Sequence, residues 1–365
     1  DQIRASAAGV ALDGAALDAE EAEYAAVSAS LVPTESGALR SFDQARFQAW
    51  LSASAFGTPD LSITDSNVLQ GGRSKLTVRL RQQGSNKLPE AFILRQDWAS
   101  SVTGTSVAPE FEILRRVHAA GILVPEPLLL EAGSEALGSP FLLVSALQGA
   151  QVGDLFEPPR SESLGLQIAT QLGRLHGLGD APFVGLPGVV QRGYGTELLR
   201  AELASYRAVI SQFGEPSLSI DMAIAWIERH LEQVSGVRCL VHGDLGFHNF
   251  LVDGERLTAL LDWELAHLGH AAEDLGYIRS WVEKMLPWNR FLEAYHAAGG
   301  PDSGSFAIDF YTLWGGVRLY ALLLQARAAI VGGHLRDCEI ALCCAHLIPV
   351  LVHRLSQQLR AIIAA

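Results

Sequence analysis

Residues 240–277 read LVHGDLGFHNFLVDGERLTALLDWELAHLGHAAEDLGY, two apolar runs joined by a turn, with ionisable side chains at fixed intervals. Leu240-Val241 leads into His242-Gly243-Asp244, and Asn249 follows Asp244 by five positions. Phe250-Leu251-Val252 reads as a short strand and Asp253-Gly254-Glu255 as a hairpin turn. Leu257 to Leu261 reads as a second strand, ending in Asp262-Trp263-Glu264. A hairpin returns its far end to its beginning, so Asp262 should land beside Asn249 and Asp244. Two carboxylates and an amide then meet at one mouth, an oxygen donor set that suits a hard cation such as Mg²⁺. Taken singly, each Asp is as well read as a turn former or helix cap. All of them in this order and spacing favour a site.

H-x-D-x-x-x-x-N followed by an apolar strand and D-aromatic resembles the catalytic loop and metal-binding Asp of the protein-kinase-like superfamily. The form found here, HGD and DWE, is similar to the aminoglycoside phosphotransferase and choline kinase branch. Within it, LDWELAHLG with EDLGY looks most like the phosphotransferase domain also found fused to acyl-CoA dehydrogenases. The resemblance runs from about Ser41 onward. It implies an α+β, bilobal, kinase-like fold, with a small five-stranded antiparallel sheet plus one helix, a hinge, and a larger, mostly helical lobe. It also implies ATP as co-substrate and Mg²⁺ held by Asn249 and Asp262. Asp244 would aim the acceptor hydroxyl, His242 would support the loop, and Asp274, besides capping a helix, would brace it. Glu264 is left near the site without a role.

Composition agrees with a folded chain: of 365 residues, 49% are hydrophobic and 18% charged. The length suits an Ala-rich extension over 1–40, a nucleotide-covering lobe over 41–147 and a helical lobe with the acceptor site over 148–365. A net charge of −13 disfavours a nucleic-acid partner and neither demands nor forbids a cationic substrate. Cys239, Cys338, Cys343 and Cys344 show no CxxC pairing and read as buried, reduced thiols. No basic segment followed by an apolar one opens the chain. Ile340 to Val352, interrupted by His346, reads as a buried helix too short to span a bilayer. The expectation is a cytoplasmic protein with no membrane partner, its oligomeric state open.

Upstream of the hairpin, Ala15 to Ser28 is plausibly helical, and Ser41-Phe42-Asp43-Gln44 reads as a capping box before a helix striped by Phe47, Trp50 and Leu51. Gly71-Gly72-Arg73-Ser74 sits between two strands as a tip rich in N–H groups that can lie over phosphates. It resembles the family's G-G-x-S-N-x-T loop, with Lys75 where Asn is usual. Arg95, ending the strand Ala91 to Arg95, matches the phosphate-contacting cation. Glu110, on a helix opening at Pro109, matches its ion-pair partner, with Glu112 the alternative register. The strand Phe141 to Val144 followed by Ser145-Ala146-Leu147 resembles the hinge. That predicts the Ser145 carbonyl and the Leu147 amide as adenine contacts.

Helices are expected over Leu164–Leu178, Thr196–Phe213 and Asp221–Val234, and from Phe306 to the end, punctuated by Gly315-Gly316 and Gly332-Gly333. His176 reads as a packed or capping histidine. Trp281, Trp288, Tyr311 and Trp314 are candidates for an acceptor pocket or for core. The expected activity is ATP- and Mg²⁺-dependent phosphoryl transfer to a small-molecule hydroxyl. The alternatives are a silent nucleotide-binding scaffold, a protein kinase, or more specifically an aminoglycoside or hydroxyacyl-CoA kinase. The missing A-P-E signature argues against the protein kinase. Few acids follow Asp274, which leans against a cationic aminoglycoside.

Overall fold

The computed structural model describes residues 42–54, 56, 58, 60–69, 75–97, 105–151, 158–190, 192, 194–333 and 338–364. The 1–40 extension, Ser41 and the glycine-rich tip Gly71 to Ser74 lie outside these residues. The first helix among the described residues, α1 (Gln44–Ala53), is capped by Asp43, whose side chain accepts from the Arg46 N–H. The cap is therefore Asp43, two residues past the expected Ser41.

The smaller lobe is a five-stranded antiparallel sheet, in spatial order β1 (Ser62–Val68), β2 (Lys75–Gln83), β3 (Ala91–Asp97), β5 (Phe141–Ser145) and β4 (Pro127–Glu131). Strand β4 was not anticipated; its Pro127 sits at the strand's first position, where a missing N–H is tolerated. The apolar run of β5 shows why such a strand carries no polar face. Phe141 and Leu143 join the small-lobe core with Phe47 and Phe92, while Leu142 and Val144, on the opposite face, join the main core. Side chains alternate across a strand, so a sheet covered on both sides needs apolar residues at every position. Two helices flank the sheet where one was expected: α1 on one face and α2 (Val107–Ala119) on the other. Phe111, Leu114 and Val117 of α2 belong to the main core, so this helix joins the lobes.

The larger lobe contains α3 (Glu162–Gly177), α4 (Thr196–Phe213), α5 (Leu218–His230), α6 (Ala272–Val282), α7 (Trp288–Ala297), α8 (Gly304–Val331) and α9 (Cys338–Ala364). It also carries the two-residue strand β6 (Ala150–Gln151) paired with the hairpin β8 (Phe250–Asp253)–β9 (Arg256–Leu260), and the pair β7 (Arg238–Val241)–β10 (His267–His270). The hairpin turns at Gly254, φ 62°, a left-handed conformation that glycine adopts without strain.

Three expectations need correction. Gly315-Gly316 does not interrupt α8, which runs 28 residues through both glycines. A Cβ on Gly316 would meet Leu355 Cδ2 at 2.6 Å, so that glycine lets α9 approach. Helix α9 is longer and less buried than expected. Its Ile340–Ile363 segment, 24 residues of mean hydropathy 1.4, is only 17% buried, and by length and composition it could cross a membrane. In this fold Cys344, Leu351, Leu355 and Leu359 are its buried positions, and the helix packs on α8 and α5. Of the four free cysteines only Cys239 and Cys344 are buried.

Candidate active site

The segment after β7 turns at Gly243, φ 81°, and a short 3₁₀ turn, Phe247–Asn249, leads into β8. That turn places Asn249 so that its Nδ2 donates to the Asp244 main-chain oxygen at 2.9 Å and to Oδ2 at 3.1 Å. Both donations come from Nδ2, so Oδ1 is the atom of this amide that could hold a cation. The Leu261 N–H donates to the Asn249 carbonyl at 2.8 Å, and the Leu261 carbonyl lies 3.0 Å from His242 Nε2. The end of the hairpin's second strand is thus stitched to the loop, which brings Asp262 to the same mouth. His242 is fully buried and its ring lies against Trp263; it holds the loop from behind.

Asp244 has two neighbours that sequence reasoning passed over. Tyr277 Oη donates to Oδ1 at 2.9 Å, and His248 Nε2 stands 3.6 Å from Oδ2. Burial opposes the Asp244 charge, but His248, His242 and the Tyr277 hydroxyl outweigh it and hold the carboxyl below its ordinary range. Burial beside Asp244 pushes the Tyr277 phenol well up, so it stays a donor. The signals were spacings: His248 is four residues after Asp244, and Tyr277 closes the EDLGY motif one turn beyond Asp274.

Arg95, at β3, reaches across the lobes. Its Nη2 donates to Asp262 Oδ1 at 2.8 Å, and its Nη1 lies 3.2 Å from Glu110 Oε1 on α2. The structure therefore selects Glu110 over Glu112, which pairs at the surface with Arg115. Desolvation works against the guanidinium, and Glu110 and Asp262 more than offset it. Glu110 behaves differently, because burial, with Oε2 lacking a partner among the described residues, pushes its pKa from an ordinary 4.5 up to about 7 despite Arg95. The pair is asymmetric: the cation stays charged, and protonation is decided at the carboxyl. A raised pKa means the neutral form is favoured below about 7 and the ion pair forms as pH rises through that value. The Arg95–Glu110 ion pair should accordingly form as pH rises through about 7. Glu110→Gln should remove that step, read from the carboxyl chemical shift by NMR titration.

Lys75 is 1% exposed, with Nζ 3.3 Å from Asp97 Oδ1, 3.8 Å from Glu264 Oε2 and 2.6 Å from the Thr105 carbonyl. Thr105 Oγ1 donates in turn to Glu264 at 3.0 Å. A buried ammonium persists only with such partners. This ties Glu264, one residue past Trp263, to β2 and gives it a place as an inter-lobe contact.

Asp274 is not the helix cap, since α6 begins at Ala272. It is 1% exposed and accepts from the His242 and Gly243 N–H groups at 2.8 and 3.0 Å, with His176 Nε2 at 3.1 Å. Burial opposes its charge, yet His176 and these N–H groups hold its pKa below the ordinary carboxylate range. Its contribution is therefore present above the ordinary carboxylate pKa and is lost as pH falls through the depressed one. Asp274→Ala would strand two buried N–H groups and a histidine. It should cost about 3–5 kcal/mol in urea denaturation at neutral pH.

Ser145 ends β5 and Leu147 follows it two residues on, and Ser145 Oγ accepts from the Glu126 N–H at 2.9 Å. Of the aromatic candidates, Tyr311 and Trp314 are core, and Trp288 stacks on Phe291 beneath Arg279. Trp281 lines a cleft beside Tyr277.

Residues 66–314 match the model of the phosphotransferase enzyme family. Among curated proteins, acyl-CoA dehydrogenase family member 11 of Rattus norvegicus is 25% identical over 248 residues, covering 65% of this chain and 31% of that one. Hygromycin-B 4-O-kinase of Escherichia coli is 28% identical over 202 residues, covering 50% of this chain and 57% of the enzyme. The chain thus spans less than two thirds of either relative. Among solved structures, a Ralstonia eutropha protein provisionally described as an aminoglycoside phosphotransferase superposes with a TM-score of 0.68 at 17% identity, covering 88% of this chain and 99% of that one.

Proposed function

The chain belongs to the phosphotransferase enzyme family, and on that premise we propose that it moves the γ-phosphoryl group of ATP, with Mg²⁺, onto a hydroxyl of a small molecule. The carrying observation is the convergence, between the lobes, of Arg95 and Asp262 with the Asp244–Asn249 pair. No group of three His, Cys, Asp or Glu side chains forms a metal cage among the described residues. That suits magnesium, which is commonly held by one or two carboxylates and completed by substrate phosphates and water. Asn249 Oδ1 and Asp262 would hold it, and when bound it would neutralise charge on the phosphates.

The protein's own groups do the rest. Arg95 offers a planar fork to phosphate oxygens once Asp262 releases it. Asp244, ionised and fixed by Asn249 and Tyr277, accepts a hydrogen bond from the acceptor hydroxyl and aims its oxygen in line. The acceptor oxygen bonds to the γ-phosphorus and the bond to the β–γ bridging oxygen breaks. The electron pair leaves with ADP, and the hydroxyl proton passes to Asp244. A carboxylate of depressed pKa is a weak base, which suits a transition state in which proton transfer comes late.

The hygromycin-B kinase and the fold neighbour favour a small-molecule acceptor over a protein, and the intact acid–amide set disfavours a silent scaffold. The test is Mg²⁺-dependent ADP release from ATP across a panel of hydroxylated small molecules. Stimulation by one compound class, abolished by EDTA, is the expected result. ADP binding with no stimulation by any compound would instead point to the scaffold.

A further inference from the structure

Beside Tyr277, between α6, α8 and α9, lies a cleft partly open to solvent. Its wall carries Tyr277, whose hydroxyl touches Asp244, so the cleft adjoins the group that aims the acceptor. Its apolar surface comes from Trp281, Leu319, Leu351 and Leu355, and its one charged lining residue is Arg354. Arg354 lies over the Trp281 ring, 5.7 Å from its centroid, and pairs with no carboxylate among the described residues. A half-buried guanidinium without an acid lacks the counter-charge that such groups ordinarily find. A second guanidinium, Arg318, donates to the Gly243 carbonyl at 3.3 Å and also has no carboxylate within the described residues.

Gly315 supplies an independent observation. It sits inside the 28-residue α8, where glycine is a poor helix former. A Cβ built there would meet only Tyr277 Cδ2, at 3.9 Å, an ordinary contact. Packing does not require this glycine, unlike its neighbour Gly316, and it faces the cleft. Its missing side chain keeps the cleft open.

From this geometry we infer that the cleft binds the acceptor, and that the acceptor is an amphipathic hydroxylated anion. Its hydroxyl lies at Asp244, its apolar segment runs along Trp281 and Leu351, and its carboxylate or phosphate sits on Arg354. The inference rests on the phosphoryl-transfer reading and adds the class of acceptor to it. A polycationic acceptor fits poorly, because the lining offers it a cation and no acid.

The test uses four matched probes on the full chain in the presence of Mg²⁺: ω-hydroxyhexanoate, ω-hydroxyhexyl phosphate, the terminal hexanediol and ω-aminohexanol. Binding to the ADP complex is followed by calorimetry and turnover with ATP by ADP release. One or both anions should bind and react roughly tenfold or more better than the diol and the amine, and the stronger of the two identifies the headgroup. Arg354→Gln should erase that preference mainly through KM, and Arg354→Glu should turn it toward the amine. Gly315→Leu should raise KM for the anion while leaving the melting temperature unchanged or higher, which a purely structural glycine would not do. Equal or better use of the amine or diol, or an anion preference that survives Arg354→Gln, overturns the inference. So does a wild type that takes none of the four at millimolar concentration while still binding ADP. A wild type that binds no ADP sinks the phosphoryl-transfer reading itself.

Discussion

Asp244→Asn is expected to lower acceptor-dependent turnover by about 10²–10⁴-fold while the affinity for ADP stays close to wild type. The substitution keeps size and shape, so Tyr277 can still donate to Oδ1 and the loop stays braced by Asp274 from behind. What disappears is the negative charge that the proposed mechanism uses to align the hydroxyl and take its proton. In the proposed mechanism the nucleotide is held elsewhere, by Arg95 and around Asp262, so the defect should belong to kcat and not to the KM for ATP. Steady-state kinetics with calorimetric ADP binding separates the two. A variant that keeps wild-type kcat would remove Asp244 from the chemistry.

Asp262→Asn should be as severe, about 10³-fold in kcat/KM, with a steeply raised requirement for magnesium. Asp262 is the only non-glycine residue among those described with positive φ, at 63°. That conformation is held at a cost of about 1–3 kcal/mol, which a fold retains where a side chain must point one way. Asn tolerates the left-handed region, so the variant should fold. It nevertheless loses the charge that the proposed divalent ion would need and the carboxylate that Arg95 holds at 2.8 Å. Thermal melting near wild type together with lost turnover is the expected pair of results, and collapse of the fold would mean the residue acts structurally. Asp244→Asn should spare the magnesium requirement and Asp262→Asn should not, so the two variants would distinguish aiming from metal binding.

Much of this site was legible because its chemistry is written in short-range spacing. A turn at Gly254 and two short strands suffice to bring Asp262 back to Asn249, and local periodicity announces both strands. Arg95 and Glu110 were readable only through the family resemblance, which matches them to a strand cation and its helix partner and left Glu112 open until the Arg95–Glu110 pair decided the register. Residues whose roles depend on distant packing stayed hidden. Nothing near Lys75 in the chain announces Glu264, which meets it only when the lobes close on each other. Asp274 looks like a cap on sequence grounds, yet tertiary packing turns it inward to His242 and His176. The apolar stretch of α9 was misjudged because hydropathy alone does not tell a buried helix from one covered on a single side. Gly315-Gly316 reads as a break because glycine disfavours helix, whereas contact with Leu355 at one position and the adjoining cleft at the other explain both residues.

The central claim is that a divalent ion, Asn249 and Asp262 meet beside Asp244. It is tested most directly by titrating Mn²⁺ into the ADP-bound protein and following free Mn²⁺ by electron paramagnetic resonance. A single nucleotide-dependent Mn²⁺ site in the wild type, weakened in Asn249→Ala and lost in Asp262→Asn, is the predicted result. Mn²⁺ binding unchanged in both variants, or no nucleotide-dependent site at all, would contradict it.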